Sequence, residues 1–172
     1  MRLYTVHGQD FFLDQGHVDH SKSEYYCTVA GVPCAYRELH KRIGTSQVIW
    51  CELDRADTPP SKVQWEIEVP ECAIITFVDN LVWNKILHRR CQLPHSLYVK
   101  LYTRALDQEP HDSERTREVE ARLTEEFWDS LGTGQELWDR LLLEAPPGDT
   151  GSASALIRHP VPPEWVIGRL YL

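Results

Sequence analysis

Lys62-Val-Gln-Trp-Glu-Ile-Glu-Val69 alternates without a break, with Val63, Trp65, Ile67 and Val69 on one side and Lys62, Gln64, Glu66 and Glu68 on the other. Successive side chains of a strand point to opposite faces, so this pattern predicts a strand with one buried and one wet face. The reading puts the four apolar residues in a core and leaves Gln64, Glu66 and Glu68 outside it. A slip of one residue would bury three polar groups, which pins the register.

Working outward, Pro70-Glu71 interrupts this strand, and residues 72–78 read as a further apolar strand buried on both faces. Upstream, residues 2–6 and 47–53 carry the β-branched and aromatic content of strands. Between them, 10–14 is expected to form one helical turn and 16–26 a polar loop. Residues 33–44 are expected to form a helix with proline at its start, Ala35, Tyr36, Leu39 and Ile43 near helical spacing, and Gly44 at its stop. Downstream, Asp79 or Asn80 can cap a short helix through His88, whose stripe is Val82, Trp83, Ile86 and Leu87. Residues 94–105 are ambiguous.

Asp112 or Ser113 begins the longest helix. Val119, Leu123, Phe127 and Leu131 recur every four residues with Trp128 beside them, a stripe expected to lie against the sheet, and Gly132 stops it. A second helix over 135–144 is expected to bury Leu137, Trp138, Leu141 and Leu142. The sequence finishes on a closing pair of apolar runs, 155–157 and 165–172, around a hinge carrying Pro160, Pro162 and Pro163. Proline donates nothing to a ladder, so pairing breaks at the hinge while both flanks stay strand-like. Ending on an apolar strand leads to the expectation of one complete domain over 1–172.

This order lacks regular strand–helix–strand alternation, and neither a Gly-x-Gly-x-x-Gly nor a phosphate-loop motif is present. The expected fold class is α+β: a mixed or mostly antiparallel sheet with packed helices. At 172 residues and 42% hydrophobic, the chain can bury one substantial core. Its net charge of −8 argues against a general nucleic-acid-binding surface, although one nucleotide in a pocket remains compatible. No apolar run approaches a membrane span and no signal segment opens the chain, so no membrane association and a cytoplasmic location are expected. Cys27, Cys34, Cys51, Cys72 and Cys91 form no Cys-x-x-Cys pair, which fits reduced, mostly buried thiols better than disulfides or a zinc site.

Several residues could carry chemistry. His17-Val-Asp19-His20, with His7 nearby, has atoms that bind transition metals, but a solvated loop explains it better and no metal is expected. Glu66 and Glu68, about 7 Å apart on one strand face, suit either acid–base work or a wet surface. Glu52, beside Trp50 and Cys51, is the stronger single candidate, because apolar neighbours raise a carboxyl pKa and make it a usable acid or base. The acidic run over 107–126, interleaved with Arg115, Arg117 and Arg122, is accounted for by exposed pairs four residues apart. No nucleophile elbow is present, and Ser152 or Ser154 near His159 does not make a triad.

Two resemblances follow from particular segments. Leu3-Tyr4-Thr5, Tyr36-Arg-Glu-Leu-His-Lys-Arg-Ile-Gly44, Val48-Ile-Trp50, and Ile67-Glu-Val-Pro70 through Trp83-Asn-Lys-Ile-Leu87 together resemble an uncharacterised bacterial family, a domain of unknown function. This likeness covers the first half of the chain and implies no activity. The opening strand with His7-Gly8 resembles that of poly-ADP-ribose-polymerase-like ADP-ribosyltransferases. The ending Ala155-Leu-Ile-Arg-His-Pro-Val-Pro-Pro-Glu-Trp-Val-Ile-Gly168 resembles the closing strands of DarT-type DNA ADP-ribosyltransferases.

The second resemblance implies a split, mostly antiparallel sheet that holds NAD as substrate, with a nucleic-acid or protein acceptor. It implies His7 on the ribose, Tyr25 or Tyr26 stacked on nicotinamide, and a catalytic glutamate. That glutamate would fall just before Ala155, where this chain has Ser152, Ala153 and Ser154. Either Glu52 or Glu164 takes its place, or the likeness is one of fold alone. The competing reading is a small acidic interaction protein of a phage or bacterial defence system, docking through its charged helix or aromatic surface.

Overall fold

A computed structural model describes residues 1–7, 32–55, 63–89, 92–109, 112–148 and 152–170. In chain order its elements are β1 (Arg2–His7), α1 (Val32–Ile43), β2 (Val48–Glu52), β3 (Val63–Glu68), β4 (Ile74–Asp79), α2 (Asn80–Ile86), α3 (His95–Gln108), α4 (Ser113–Ser130), α5 (Gln135–Leu141), β5 (Leu142–Leu143), β6 (Ala153–Arg158) and β7 (Val166–Leu170). The strands form one seven-stranded sheet in the order β5-β4-β6-β2-β1-β3-β7, every neighbour antiparallel, so the fold class is α+β. Two compact units divide the chain: Met1–Asn80 with Leu142–Leu172, and Leu81–Leu141.

The first unit contains the sheet. Cross-strand rows Leu3–Ile67, Ile49–Ile157 and Cys51–Ala155–Phe77 bring apolar side chains onto one face. They form a buried cluster completed by Val69, Ala73 and Val161. Each fully buried leucine or isoleucine there contributes about 1.5–3 kcal/mol relative to exposure. Leu39 of α1 is also fully buried, and Tyr36 meets Trp50 of β2 edge-on at 6.3 Å. Gly44 ends α1 at φ 77°, a conformation that favours glycine.

The alternation in β3 positions Val63, Trp65, Ile67 and Val69 in the interior, as expected. Its polar face departs from expectation: Glu68 is exposed, but Gln64 and Glu66 are buried, at 1% and 7% of their exposed areas. β3 lies between β1 and β7, and the Glu66 carboxylate is covered by Arg2 at 3.3 Å and Arg55 at 3.7 Å. β4 also differs from its reading, since only Phe77 and Val78 of the strand are buried and Ile74–Thr76 are half-exposed. The two closing runs do not pair with each other. β6 sits between β2 and β4, whereas β7 pairs with β3 at the far edge. The proline-rich hinge contains a 3-10 turn, Pro163–Trp165, and carries the chain between those places.

In the second unit, residues 95–108 are helical, which resolves the ambiguous stretch. Asp112 caps α4, its carboxylate accepting from the backbone N–H groups of Glu114 at 3.0 Å and Arg115 at 3.2 Å. The stripe of α4 packs on α3: Leu123 joins Leu101 and Ala105, with Val119 and Phe127 packed beside them, half-buried. Gly132 follows at φ 91°. α5 stops at Leu141, three residues short of the expected end, because Leu142 and Leu143 are drawn into pairing with Val78 and Phe77.

Candidate functional site

Antiparallel pairing aligns one row across six strands: Val78, Ser154, Glu52, Tyr4, Glu66 and Gly168. Directly opposed residues share a face, so this row lies opposite the apolar cluster that contains Cys51 and Leu3. Its polar members are Ser154, Glu52, Tyr4 and Glu66. Glu52 and Glu66 flank Tyr4 at two strand spacings, about 10 Å between their Cα atoms.

The two carboxylates differ. Glu66 is held by two guanidiniums, and Arg55 also lies over the Tyr4 ring, 5.9 Å from its centroid. Glu52 meets no cation among the described residues. Its neighbour is Ser154, whose Oγ lies 3.3 Å from Glu52 Oε2 and 2.9 Å from Asn80 Oδ1. Burial pushes the Glu52 carboxyl above its ordinary range, and the Ser154 hydroxyl pulls it partway back.

A serine hydroxyl has one proton to donate. Given to Asn80, it leaves an oxygen lone pair facing Glu52, which suits the protonated carboxyl. Given to Glu52, it stabilises the carboxylate. Asn80 and Glu52 therefore compete for one proton, and the Ser154 hydroxyl couples the three side chains. Beside them, Cys51 is inert as a nucleophile: burial, then the charge of Glu52, pushes its thiol far above its ordinary range.

The other candidates stand elsewhere. His7 ends β1 opposite Val63, three positions from Tyr4, about 10 Å along the strand. It occupies the register of the Leu3–Thr5 positions, not that of Tyr4 and Glu52. Glu164 is exposed in the turn before β7, and β7 lies three strands from β2, about 14 Å across the sheet. The sheet thus does not bring Glu52 and Glu164 together. Tyr25, Tyr26, His17, Asp19 and His20 lie outside the described residues. Among the described residues no group of His, Cys, Asp and Glu has the arrangement of a metal site, and Cys51 and Cys72 are free thiols. Nor, among these residues, is any helix long and apolar enough to cross a membrane.

Sequence reasoning singled out Glu52 as a candidate but not its neighbours Tyr4, Ser154 and Asn80. One signal was present: Ser154 is a lone hydroxyl inside the apolar run Ala153–Ile157, and a polar residue in a buried strand needs a partner. Comparison with protein-family models, with curated proteins and with solved structures returns no match. The class the structure defines is an α+β protein with a seven-stranded antiparallel sheet and a carboxylate, hydroxyl and amide coupled on one face.

Proposed function

We propose that this chain is an NAD-consuming, ADP-ribosyltransferase-like enzyme that acts on a nucleic-acid or protein acceptor, with Glu52 as its working carboxylate. The observation that carries the reading is the placement of Glu52: half-buried, facing Tyr4, tuned by Ser154 and Asn80, and not neutralised by a described cation. Cleaving the nicotinamide–ribose bond builds positive charge on the ribose. A fixed carboxylate in a partly dry site opposes that charge more strongly in the transition state than in the ground state. An antiparallel sheet is also what the resemblance of the opening and closing segments implies. Glu52 is preferred to Glu164, which is exposed and has no burial to tune it.

The test is nicotinamide release from NAD in the presence of DNA, RNA and cell-lysate acceptors. Glu52→Gln should lower turnover by about 100-fold, a size typical of losing one electrostatic stabiliser. No release with any acceptor, and no rise in melting temperature with millimolar NAD, removes the proposal.

One observation favours the second reading, a non-enzymatic interaction protein. Tyr98, Val99 and Tyr102 of α3 are exposed, and the two tyrosine rings stack at 6.1 Å beside a cavity of about 490 Å³ reaching Leu106, Thr116 and Glu120. Large aromatic groups at a surface are the usual anchors of protein interfaces. A chain silent towards NAD but retained by a partner through Tyr98 and Tyr102 would fit this reading.

A further inference from the structure

β5 pairs with β4 through only two residue pairs, Phe77 with Leu143 and Val78 with Leu142. Extended in register, Glu144, Ala145 and Pro146 would face Thr76, Ile75 and Ile74. They do not, and Pro146 has no N–H to offer such a ladder. Thr76 Oγ1 instead lies 3.2 Å from the carbonyl oxygens of both Leu143 and Phe77, where the two segments part. The fork between them contains a cavity of about 440 Å³, lined in part by Ile74, Ile75, Phe77, Leu142 and Leu143. Among the described residues, no strand pairs with the outer edge of Ile74–Thr76.

Three properties coincide here: a sheet edge that no described strand pairs with, a recess beside it lined by both apolar and polar groups, and two exposed carboxylates at its rim. The charged side chains at the cavity are Glu71 and Glu144, both exposed, and the Met1 ammonium is engaged by the Val69 carbonyl at 2.6 Å. We propose that the fork between Ile74–Thr76 and Glu144–Pro146 binds an extended, apolar peptide flanked by lysine or arginine, which adds as a strand to the edge of β4.

Main-chain hydrogen bonds to the edge would give affinity, alternate side chains would fill the recess, and the flanking cations would meet Glu71 and Glu144. A second copy of the chain is disfavoured as the occupant, since pairing two such edges would set these carboxylates against each other on chains that each carry a net charge of −8. The inference does not depend on the chemistry at Glu52, and peptide binding is read separately from nicotinamide release.

The probe is a fluorescent synthetic peptide of alternating valine and threonine with a lysine at each end, titrated against the full chain and followed by anisotropy. Saturable binding is expected, weakened about fivefold when glutamate replaces both lysines, the size of two exposed ion pairs. N-methylation of alternate amides should weaken it by about tenfold or more by removing ladder donors. In the double variant Glu71→Lys, Glu144→Lys, whose changes are at exposed positions, the charge preference should reverse. No saturation at millimolar chain, indifference to N-methylation, or sedimentation as a dimer through this edge would overturn the proposal.

Discussion

Ser154 on β6 lies between Glu52 on β2 and Asn80 at the start of α2, and its one hydroxyl proton serves two acceptors, at 3.3 and 2.9 Å. Burial raises the pKa of this half-buried carboxyl, and the Ser154 hydroxyl pulls it partway back. Sequence separations of 102 and 74 residues are bridged by strand order alone. Measurable consequences follow for stability, titration and rate.

Glu52→Gln should stabilise the fold at neutral pH. Burial raises the folded-state pKa of Glu52 above its unfolded value, so between those two values the folded chain binds more protons than the unfolded one. Stability from this group is therefore present in full below the unfolded pKa, about 4.3, and is lost as pH rises through the folded one. Glutamine keeps the shape without the charge. Urea midpoints measured from pH 4 to 8 should show a gain for the variant that grows with pH; a gain that is constant, or absent at pH 8, would contradict the assignment.

Asn80→Ala should lower the pKa of Glu52. Without the Asn80 carbonyl oxygen, the Ser154 proton has the carboxylate as its remaining partner in this trio, and donation to the charged form favours that form. Carbon-13 NMR of labelled glutamate side chains reads this directly, and an unchanged or higher titration point would show that Asn80 does not compete.

If nicotinamide release is observed, its acid limb should belong to Glu52. The ionised carboxylate is the active form, so the rate should fall as pH drops through a value above the ordinary glutamate range. Asn80→Ala should move that limb to lower pH in step with the NMR titration. A limb that Asn80→Ala leaves in place would show that Glu52 is not the working acid.

In the helical unit, Leu123→Ala should cost about 3 kcal/mol, as truncations of fully buried leucines do, because Leu123 is 2% exposed among Leu101 and Ala105. Phe127→Ala should cost less, about 1–2 kcal/mol, since the ring is only half-buried. Equal losses in chemical denaturation would show that the two positions pack alike.

Local pattern made some of this legible. The alternation of residues 62–69 gave the apolar row of β3, Asp112 announced its own cap, and Gly44 and Gly132 marked helix ends. The burial of Gln64 and Glu66 was hidden because it depends on neighbours from β1 and the residues after β2, not on any local period. Leu142 and Leu143 read as helix for a related reason: helical spacing continued through them, and pairing with β4 overrode it. Glu52 was visible as a carboxyl among apolar residues. Its partners were not, because Tyr4, Ser154 and Asn80 come together only once the strands are ordered in space.

The location of β6 has a consequence in time. Ala153–Arg158 is inserted between β2 and β4, so it joins β5-β4 to β2-β1-β3-β7. A nascent chain emerging from its amino end therefore displays the facing edges of β2 and β4 without the strand that seals them until residues 153–158 appear. Throughout that interval two aggregation-prone borders face solvent, and the row that unites Glu52 with Ser154 does not yet exist. This sheet becomes continuous only once residues 153–158 have been made.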